Sequence, residues 1–342
     1  MTAPGRPLYS IDAGGTGTSV LTWNGERWSL PSVNPSSVGQ DSSDQRLAGL
    51  FCRIRAHAAQ AGNRTGGSCP RPAVWLASAS VDPATIAVEL RRCAAAAEAA
   101  GLCAELVVTN DVTPLLLGTP PEVGHVVAVC GTGTAFLATN GRSAPVRVGG
   151  CEYLGSDEGS AFDLGLRGLR AAVCGLDGRG QPTALSDLLA AQAGVPVPEL
   201  ARRLARMPFP KAAVAALAPI VLRAWLSADA AAADVVDAVI AELVTGIRAA
   251  RDAAALAPSW RLSVAGGVVT GCPEFFRKLA AAAAGLGAGQ VLLVNEPAAV
   301  LLAALALFAV VDPMKLSDPR IDDGAWYLDL ANRTTDLGGK ID

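Results

Sequence analysis

An α/β fold of two domains is predicted for this chain, and three observations predict it. The stretch Gly15–Gly25, reading GTGTSVLTWNG, returns without a gap as Gly131–Gly141, reading GTGTAFLATNG. Each copy follows a short apolar run, Leu8 to Ile11 or Val126 to Val129, and each ends in Asn-Gly, a strong hairpin turn signal. The chain has 342 residues of which 51% are hydrophobic, enough for two domains with substantial cores. Each half therefore opens with strand, Gly/Thr loop, strand, Asn-Gly turn, strand.

The remaining elements follow in order. Asp41 to Ala61 reads as a helix, and Gly62 to Pro72 as a loop rich in Gly, Ser and Pro. Ala73 to Ala77 is short and apolar, which predicts a buried strand. Pro83 to Ala100 reads as an alanine-rich helix, and Ala104 to Thr109 as a strand with Asn110-Asp111 at its end. Such an α/β layering places ligand sites at strand ends. In the second half the hairpin strands are Val126 to Val129, Thr134 to Thr139 and Ala144 to Val148. A polar, Gly-rich stretch, Gly149 to Ser160, precedes a helix running to about Cys174. Three or four helices fill Leu185 to Ala257, the last from about Ala230 to Ala255 with Asp229 as its N-cap. Leu262 to Ala265 is a strand stopping at Gly266-Gly267; helix Pro273 to Ala284, strand Val291 to Val294 and helix Pro297 to Val310 follow. The domains are expected at 1–115 and 116–296, with the 297–310 helix returning to the first, and 312–342 as a loosely attached tail.

Composition excludes several classes. The net charge is −3 with no basic run, which argues against a nucleic-acid partner and an anionic membrane surface. The N-terminus lacks an apolar signal segment, and the most apolar stretch, Ala298 to Val311, is short for a bilayer span. No two of the eight cysteines form a Cys-x-x-Cys pair and only two histidines exist, so no zinc spacing can be built. A cytoplasmic protein with reduced thiols is expected.

A Gly/Thr loop between strands presents bare backbone N–H groups and hydroxyls to phosphate oxygens. Two such loops, Gly14-Gly15-Thr16-Gly17-Thr18 and Gly131-Thr132-Gly133-Thr134, could grip one polyphosphate from both sides of a cleft. Asp12 ends the first strand just before its loop; there it is a Mg²⁺ ligand or simply an Asp opening a turn. Asp111, at the end of a strand, is the candidate general base for phosphoryl transfer to an alcohol, or a helix N-cap shared with Asn110. Asp157 and Glu158 either open a helix, where carboxylates are favoured, or bind substrate hydroxyls. Gly266-Gly267 leaves room for a flat adenine ring or makes a tight strand-to-helix turn.

Taken together, Asp12-Ala-Gly-Gly-Thr, Asn110-Asp111, Gly131-Thr-Gly-Thr, Asp157-Glu-Gly-Ser and Ala265-Gly-Gly-Val resemble, in this order, the N-acetylglucosamine kinase group of the BadF/BadG/BcrA/BcrD ATPases, within the sugar kinase, Hsp70 and actin superfamily. The resemblance runs from Leu8 to about Phe308. It implies two RNase H-like (actin-like ATPase) domains around a central nucleotide cleft, and a kinase that uses ATP and Mg²⁺ to phosphorylate the primary hydroxyl of N-acetylglucosamine, glucosamine or a related amino sugar. By it, Asp12 and Gly14 to Thr18 hold Mg²⁺ and phosphate, Gly131 to Thr134 hold the phosphates from the other side, and Gly266 and Gly267 flank the adenosine. Asp111 activates the sugar hydroxyl, and Asn34, Gly150 and Asp157 contact the sugar. The family usually carries Gly-Gly-Trp-Gly where this chain has Gly149-Gly150-Cys151-Glu152. Cys151 removes a large apolar surface beside the sugar, and Glu152 adds a charge that could meet an amino group.

Two further classes compete. One is a sugar- or nucleotide-sensing regulatory protein of the same fold without turnover; the other is a dehydratase-activating ATPase with an iron–sulfur cluster, which needs well-placed cysteines. A homodimer is expected if the apolar faces of Ala212 to Leu226 and Val235 to Ile247 pair between copies; they serve equally well as core.

Overall fold

The computed structural model describes residues 6–65, 71–82, 84–120, 122–308 and 325–330. Its strands are β1 (Leu8–Ala13), β2 (Gly17–Thr22), β3 (Arg27–Pro31), β4 (Ala73–Ser78), β5 (Glu105–Thr109), β6 (His125–Cys130), β7 (Thr134–Thr139), β8 (Val146–Gly149), β9 (Trp260–Ala265), β10 (Ala288–Val294) and β11 (Ala325–Asp329). They form two sheets, in two compact units. The first unit comprises Met1–Glu122, Gly141–Pro145 and Glu296–Asp342; the second comprises Val123–Asn140 and Val146–Asn295.

The first sheet has the order β11-β5-β4-β1-β2-β3 and the second β10-β9-β6-β7-β8. In each, a three-stranded antiparallel meander (β1-β2-β3 or β6-β7-β8) continues into parallel strands on the far side of its first strand. The repeated sequence thus gives a repeated topology. The Asn24-Gly25 turn closes as its spacing requires, with Gly25 at φ 86° and the Thr22 amide donating to the Glu26 carbonyl.

Period-two alternation divides β1 between two faces of its sheet. Tyr9, Ile11 and Ala13 pack with Leu47, Phe51 and Ile54 of the helix Gln40–Thr65 and with Leu90, Cys93 and Ala97 of the helix Ile86–Ala100. On the other face Leu8 joins Ala73, Trp75, Val107 and the residues Leu301, Ala304 and Leu305 of the helix Pro297–Phe308. Ser10, on that face, donates its hydroxyl to the Ala298 carbonyl at 2.6 Å. In the second unit Val126, Ala128, Phe136, Leu262 and Val264 pack under the helices Ala161–Asp177 and Ala230–Ala253. Asp229 caps the longer one by accepting from the Ala232 amide.

Two expectations are corrected, and one open alternative is decided. Part of the tail, 325–329, is not loose: it pairs antiparallel with β5 and covers that sheet edge, driven by Tyr327 and Leu328 against the two cores of the unit. The rest of 312–342 lies outside the described residues. The apolar faces of Ala212 to Leu226 and Val235 to Ile247, open between a dimer face and core, are core, since Ile220, Val221, Ala224, Val236, Val239, Leu243 and Ile247 are all buried within the second unit. Finally, Asp157 and Glu158 do not open a helix. Ser160 does, accepting from the Asp163 amide, while Asp163 accepts from the Gly159 amide; this reciprocal cap satisfies the first-turn donors and leaves Asp157 in a loop at φ 75°. Among the described residues, no helix is long and apolar enough to cross a membrane.

Candidate active site

In the first unit, Asp12 sits on β1 opposite Ser19 of β2 and Ala77 of β4, one residue before the loop. It is half-buried, and no cation pairs with it among the described residues. Burial, and then the carboxylate of Asp111, push its pKa up to about 7. Asp111 follows β5 directly. Asn110 fixes this corner: its amide nitrogen donates to the Val81 carbonyl at 2.7 Å and its Oδ1 accepts from the Val112 amide at 3.1 Å. The turn that follows is a 3₁₀ helix, Thr113–Gly118. The capping alternative therefore falls to Asn110, and Asp111 is brought beside Asp12.

The first loop is tied down from one side. Ser32 donates its hydroxyl to the Gly14 carbonyl at 2.8 Å and accepts from the Asn34 amide at 3.1 Å. The Thr18 hydroxyl is buried and accepts from the Val33 amide at 3.3 Å, so it faces the protein rather than a ligand. The amides of Gly14, Gly15 and Thr16 donate to nothing among the described residues, and Thr16 is exposed. Asn34 is buried and caps the short helix Pro35–Val38 by accepting from the Ser36 amide at 2.9 Å. Arg92 locks the same segment, donating to the Val33 carbonyl and the Ser43 hydroxyl and pairing with Asp44 and Glu89.

In the second unit, the loop Gly131–Gly133 rests on a helix N-terminus. The carbonyls of Gly131 and Thr132 accept from the Ala161 and Phe162 amides, the first of that helix. With its carbonyls so engaged, the loop leaves the Thr132 and Gly133 amides unbonded among the described residues. The Thr134 amide is taken by Asp157 Oδ1 at 2.8 Å, and the Thr134 hydroxyl donates to the Glu158 carbonyl at 2.9 Å. Asp157 Oδ2 lies 2.8 Å from Lys211 Nζ, and that ammonium also reaches Glu152 Oε2 at 2.7 Å. Asp157 is thus hydrogen-bonded at Oδ1, while Oδ2 has the ion-pair contact with Lys211 but no aligned hydrogen bond among the described residues, and Glu152, expected to offer its charge to a substrate amine, has an internal cation. Gly150, at φ 72°, and the exposed Cys151 lie just before this pair.

Gly266 and Gly267 divide the roles expected of them jointly. A Cβ on Gly266 would strike the Cys130 carbonyl, and its φ is 109°; this glycine lets β9 end against the second loop. A Cβ on Gly267 would meet nothing within 4 Å, so its face is open.

Lys211 was not singled out by the sequence reading. Lysine occurs only at positions 211, 278, 315 and 340 in a chain that otherwise uses arginine, and that rarity is the one local signal that marks it.

Two sheets of one topology, each with a Gly/Thr hairpin loop whose amides are unbonded, define an ATPase of the actin-like fold. Solved structures agree on that fold. A proposed N-acetylglucosamine kinase from Chromobacterium violaceum matches over 88% of this chain and 100% of its own, with a TM-score of 0.64 at 22% identity. One from Porphyromonas gingivalis matches over 86% and 98%, with a TM-score of 0.63 at 18% identity. The model of the BadF/BadG/BcrA/BcrD ATPase family matches residues 98–278, and the chain belongs to that family. A curated relative, the N-acetylmuramic acid/N-acetylglucosamine kinase of Clostridium acetobutylicum, is 26% identical over 171 residues. That match covers 49% of this chain and 56% of the relative, so the chain spans little more than half of that relative's length.

Proposed function

We propose that this chain is a kinase that uses ATP and Mg²⁺ to phosphorylate the primary hydroxyl of an amino sugar, N-acetylglucosamine, glucosamine or a close relative. The observation that carries the reading is the Asp12–Asp111 pair beside the unbonded amides of Gly14, Gly15 and Thr16. A carboxylate whose pKa is pushed up to about 7 by burial and a second carboxylate is poorly matched to neutral water and well matched to a hard divalent cation. Mg²⁺ held through Asp12 would neutralise charge on the phosphate oxygens. The unbonded amides of Gly14, Gly15 and Thr16 would orient those oxygens by hydrogen bonds.

Asp111 is the base in this reading. The sugar hydroxyl oxygen bonds to the γ-phosphorus as the bond to the β-bridging oxygen breaks, and the hydroxyl proton passes to the Asp111 carboxylate. Asn34 in the first unit, and Gly150 and Cys151 in the second, are each proposed as sugar contacts, and the open face at Gly267 as an adenosine contact. Asp157 and Glu152, both paired with Lys211, are assigned to shaping the second loop instead. The names of the relatives support an amino sugar, and the Asp12–Asp111 pair supports transfer chemistry over mere sensing.

The test is coupled ADP release with Mg·ATP against glucosamine, N-acetylglucosamine, N-acetylmannosamine, glucose, 3-amino-3-deoxyglucose and water, beside Asp111→Asn. Turnover that needs one sugar and disappears in the variant is the expected result. Equal, sugar-independent rates in both proteins would overturn the kinase reading.

A further inference from the structure

We propose that Lys211 is a positioning residue that keeps the second Gly/Thr loop able to accept an anion, by balancing the Asp157 carboxylate packed behind it. The inference rests on reading Gly131–Thr134 as a phosphate loop.

Three observations carry it. First, the Asp157 carboxylate is in contact with the loop itself. Its Oδ1 accepts from the Thr134 amide, and a Cβ placed on Gly133 would lie 2.5 Å from the same oxygen. Second, it has almost no water to screen it, being 3% exposed. A buried negative charge there opposes any phosphate approaching the Thr132 and Gly133 amides. Third, Lys211 Nζ, itself largely buried, sits 2.8 Å from Asp157 Oδ2, the carboxylate oxygen that does not bond Thr134. Burial alone would lower the Lys211 pKa; its bonds to Asp157 and Glu152 outweigh that and hold it above the usual lysine range, so the cation is permanent. Glu152, the second partner, is half-exposed, and water screens it.

The arrangement has a clear division of labour. Asp157 orients the loop by taking its last amide, and Lys211 cancels the charge that this orientation brings. Lys211 begins the short helix Lys211–Ala215, which lies in the helical insertion between β8 and β9. Through Lys211 the insertion also reaches the carboxylate that pins the repeated hairpin.

The test is equilibrium binding of Mg·ATP, without sugar, by titration calorimetry, with melting temperature measured on each protein. Lys211→Met is expected to weaken ATP at least tenfold, because Asp157 is then left uncompensated. Asp157→Asn with Lys211→Met keeps the Thr134 acceptor and removes the carboxylate; it is expected to return affinity to within about threefold of wild type. Lys211→Arg, which keeps the cation, is expected to stay within about threefold. Wild-type affinity in Lys211→Met, or a double variant as weak as the single one, would overturn the inference; the second result would mean that Lys211 acts through packing alone. Should Lys211→Met not fold, Asp157→Asn decides alone: affinity equal to or tighter than wild type supports the charge balance, and a tenfold loss overturns it. A wild-type protein that binds no ATP would instead overturn the phosphate-loop reading, and this inference with it.

Discussion

The two Gly/Thr hairpin loops share sequence, strand order and unbonded amides, yet they place their carboxylates in opposite electrical settings. In the first unit, Asp12 lies on the hairpin strand itself, has no cation beside it among the described residues, and its pKa is pushed up to about 7 by burial and by Asp111. In the second unit the position matching Asp12 is Ala128. The carboxylate there is Asp157, delivered by a later loop and already matched by an amide and by Lys211. In the proposed reading, a metal would complete the first setting, while the second already has an internal cation. The two settings differ through side chains outside the duplicated segment.

The comparison can be broken at several points. The largest effect is expected at Asp111, which has no counterpart with this role in the second unit: Asp111→Asn should lower sugar-dependent turnover about 10³-fold while leaving Mg·ATP affinity within about threefold. Steady-state and binding assays on one preparation check both halves.

Next comes the matched glycine pair, Gly17 and Gly133. A Cβ at Gly17 has Leu30's carbonyl as its nearest neighbour at 3.6 Å, an ordinary contact, whereas at Gly133 it meets the pinned Asp157 carboxylate at 2.5 Å. Gly133→Ala should cost about 3 kcal/mol in denaturant unfolding, and Gly17→Ala less than about 1 kcal/mol. Equal costs would mean that the two loops are packed alike after all.

The third concerns pH. Asp12 has a folded pKa of about 7 against an ordinary value of 3.8, so between those values the folded chain holds the extra proton. Its contribution to stability is full below about pH 4 and is lost as pH rises through about 7. Asp12→Asn removes that loss. In chelator the variant should be more stable than wild type by about 2 kcal/mol at pH 8 and equal to it near pH 4. A wild-type advantage at pH 8 would show that Asp12 has a cationic partner.

The smallest effect is at Ser32, which bonds the first loop to the Asn34 turn. Ser32→Ala should lower stability by about 1 kcal/mol and weaken ATP binding a few-fold, without touching the second loop.

The repeat, the strand ends and the order of elements were legible because they depend on local chemistry: apolar runs, Asn-Gly turns, and glycines where the backbone turns. The Asp12–Asp111 pairing was legible in part, since both residues end parallel strands. What escaped were the contacts that single polar side chains and glycines make with distant parts of the chain. Asp157 read as a helix opener because a carboxylate followed by a helix usually is one; Ser160 with Asp163 supplied the better cap three residues on. Gly266 read as a place for adenine or as a tight turn, and the close Cys130 backbone that its missing side chain accommodates was not legible. Lys211 and Arg92 carry no motif, and only the fold shows which carboxylates and carbonyls they meet. Glu152 changed meaning for the same reason: a charge with no partner in the sequence has one in space.

The helix Pro297–Phe308 and the strand β11 both belong to the first unit, although the second unit lies between them and the rest of it in the chain. During synthesis, then, the half begun first is completed last. Leu8, Ala73, Trp75 and Val107 emerge early but wait for Leu301 and Leu305 to cover them, and the outer edge of β5 waits longer still for residues 325–329. The second unit, continuous apart from the turn Gly141–Pro145, can close while its neighbour is still open on the ribosome. A nascent chain stalled near residue 295 would carry one finished half and one with an apolar face and a bare strand edge, a natural target for chaperones and proteases.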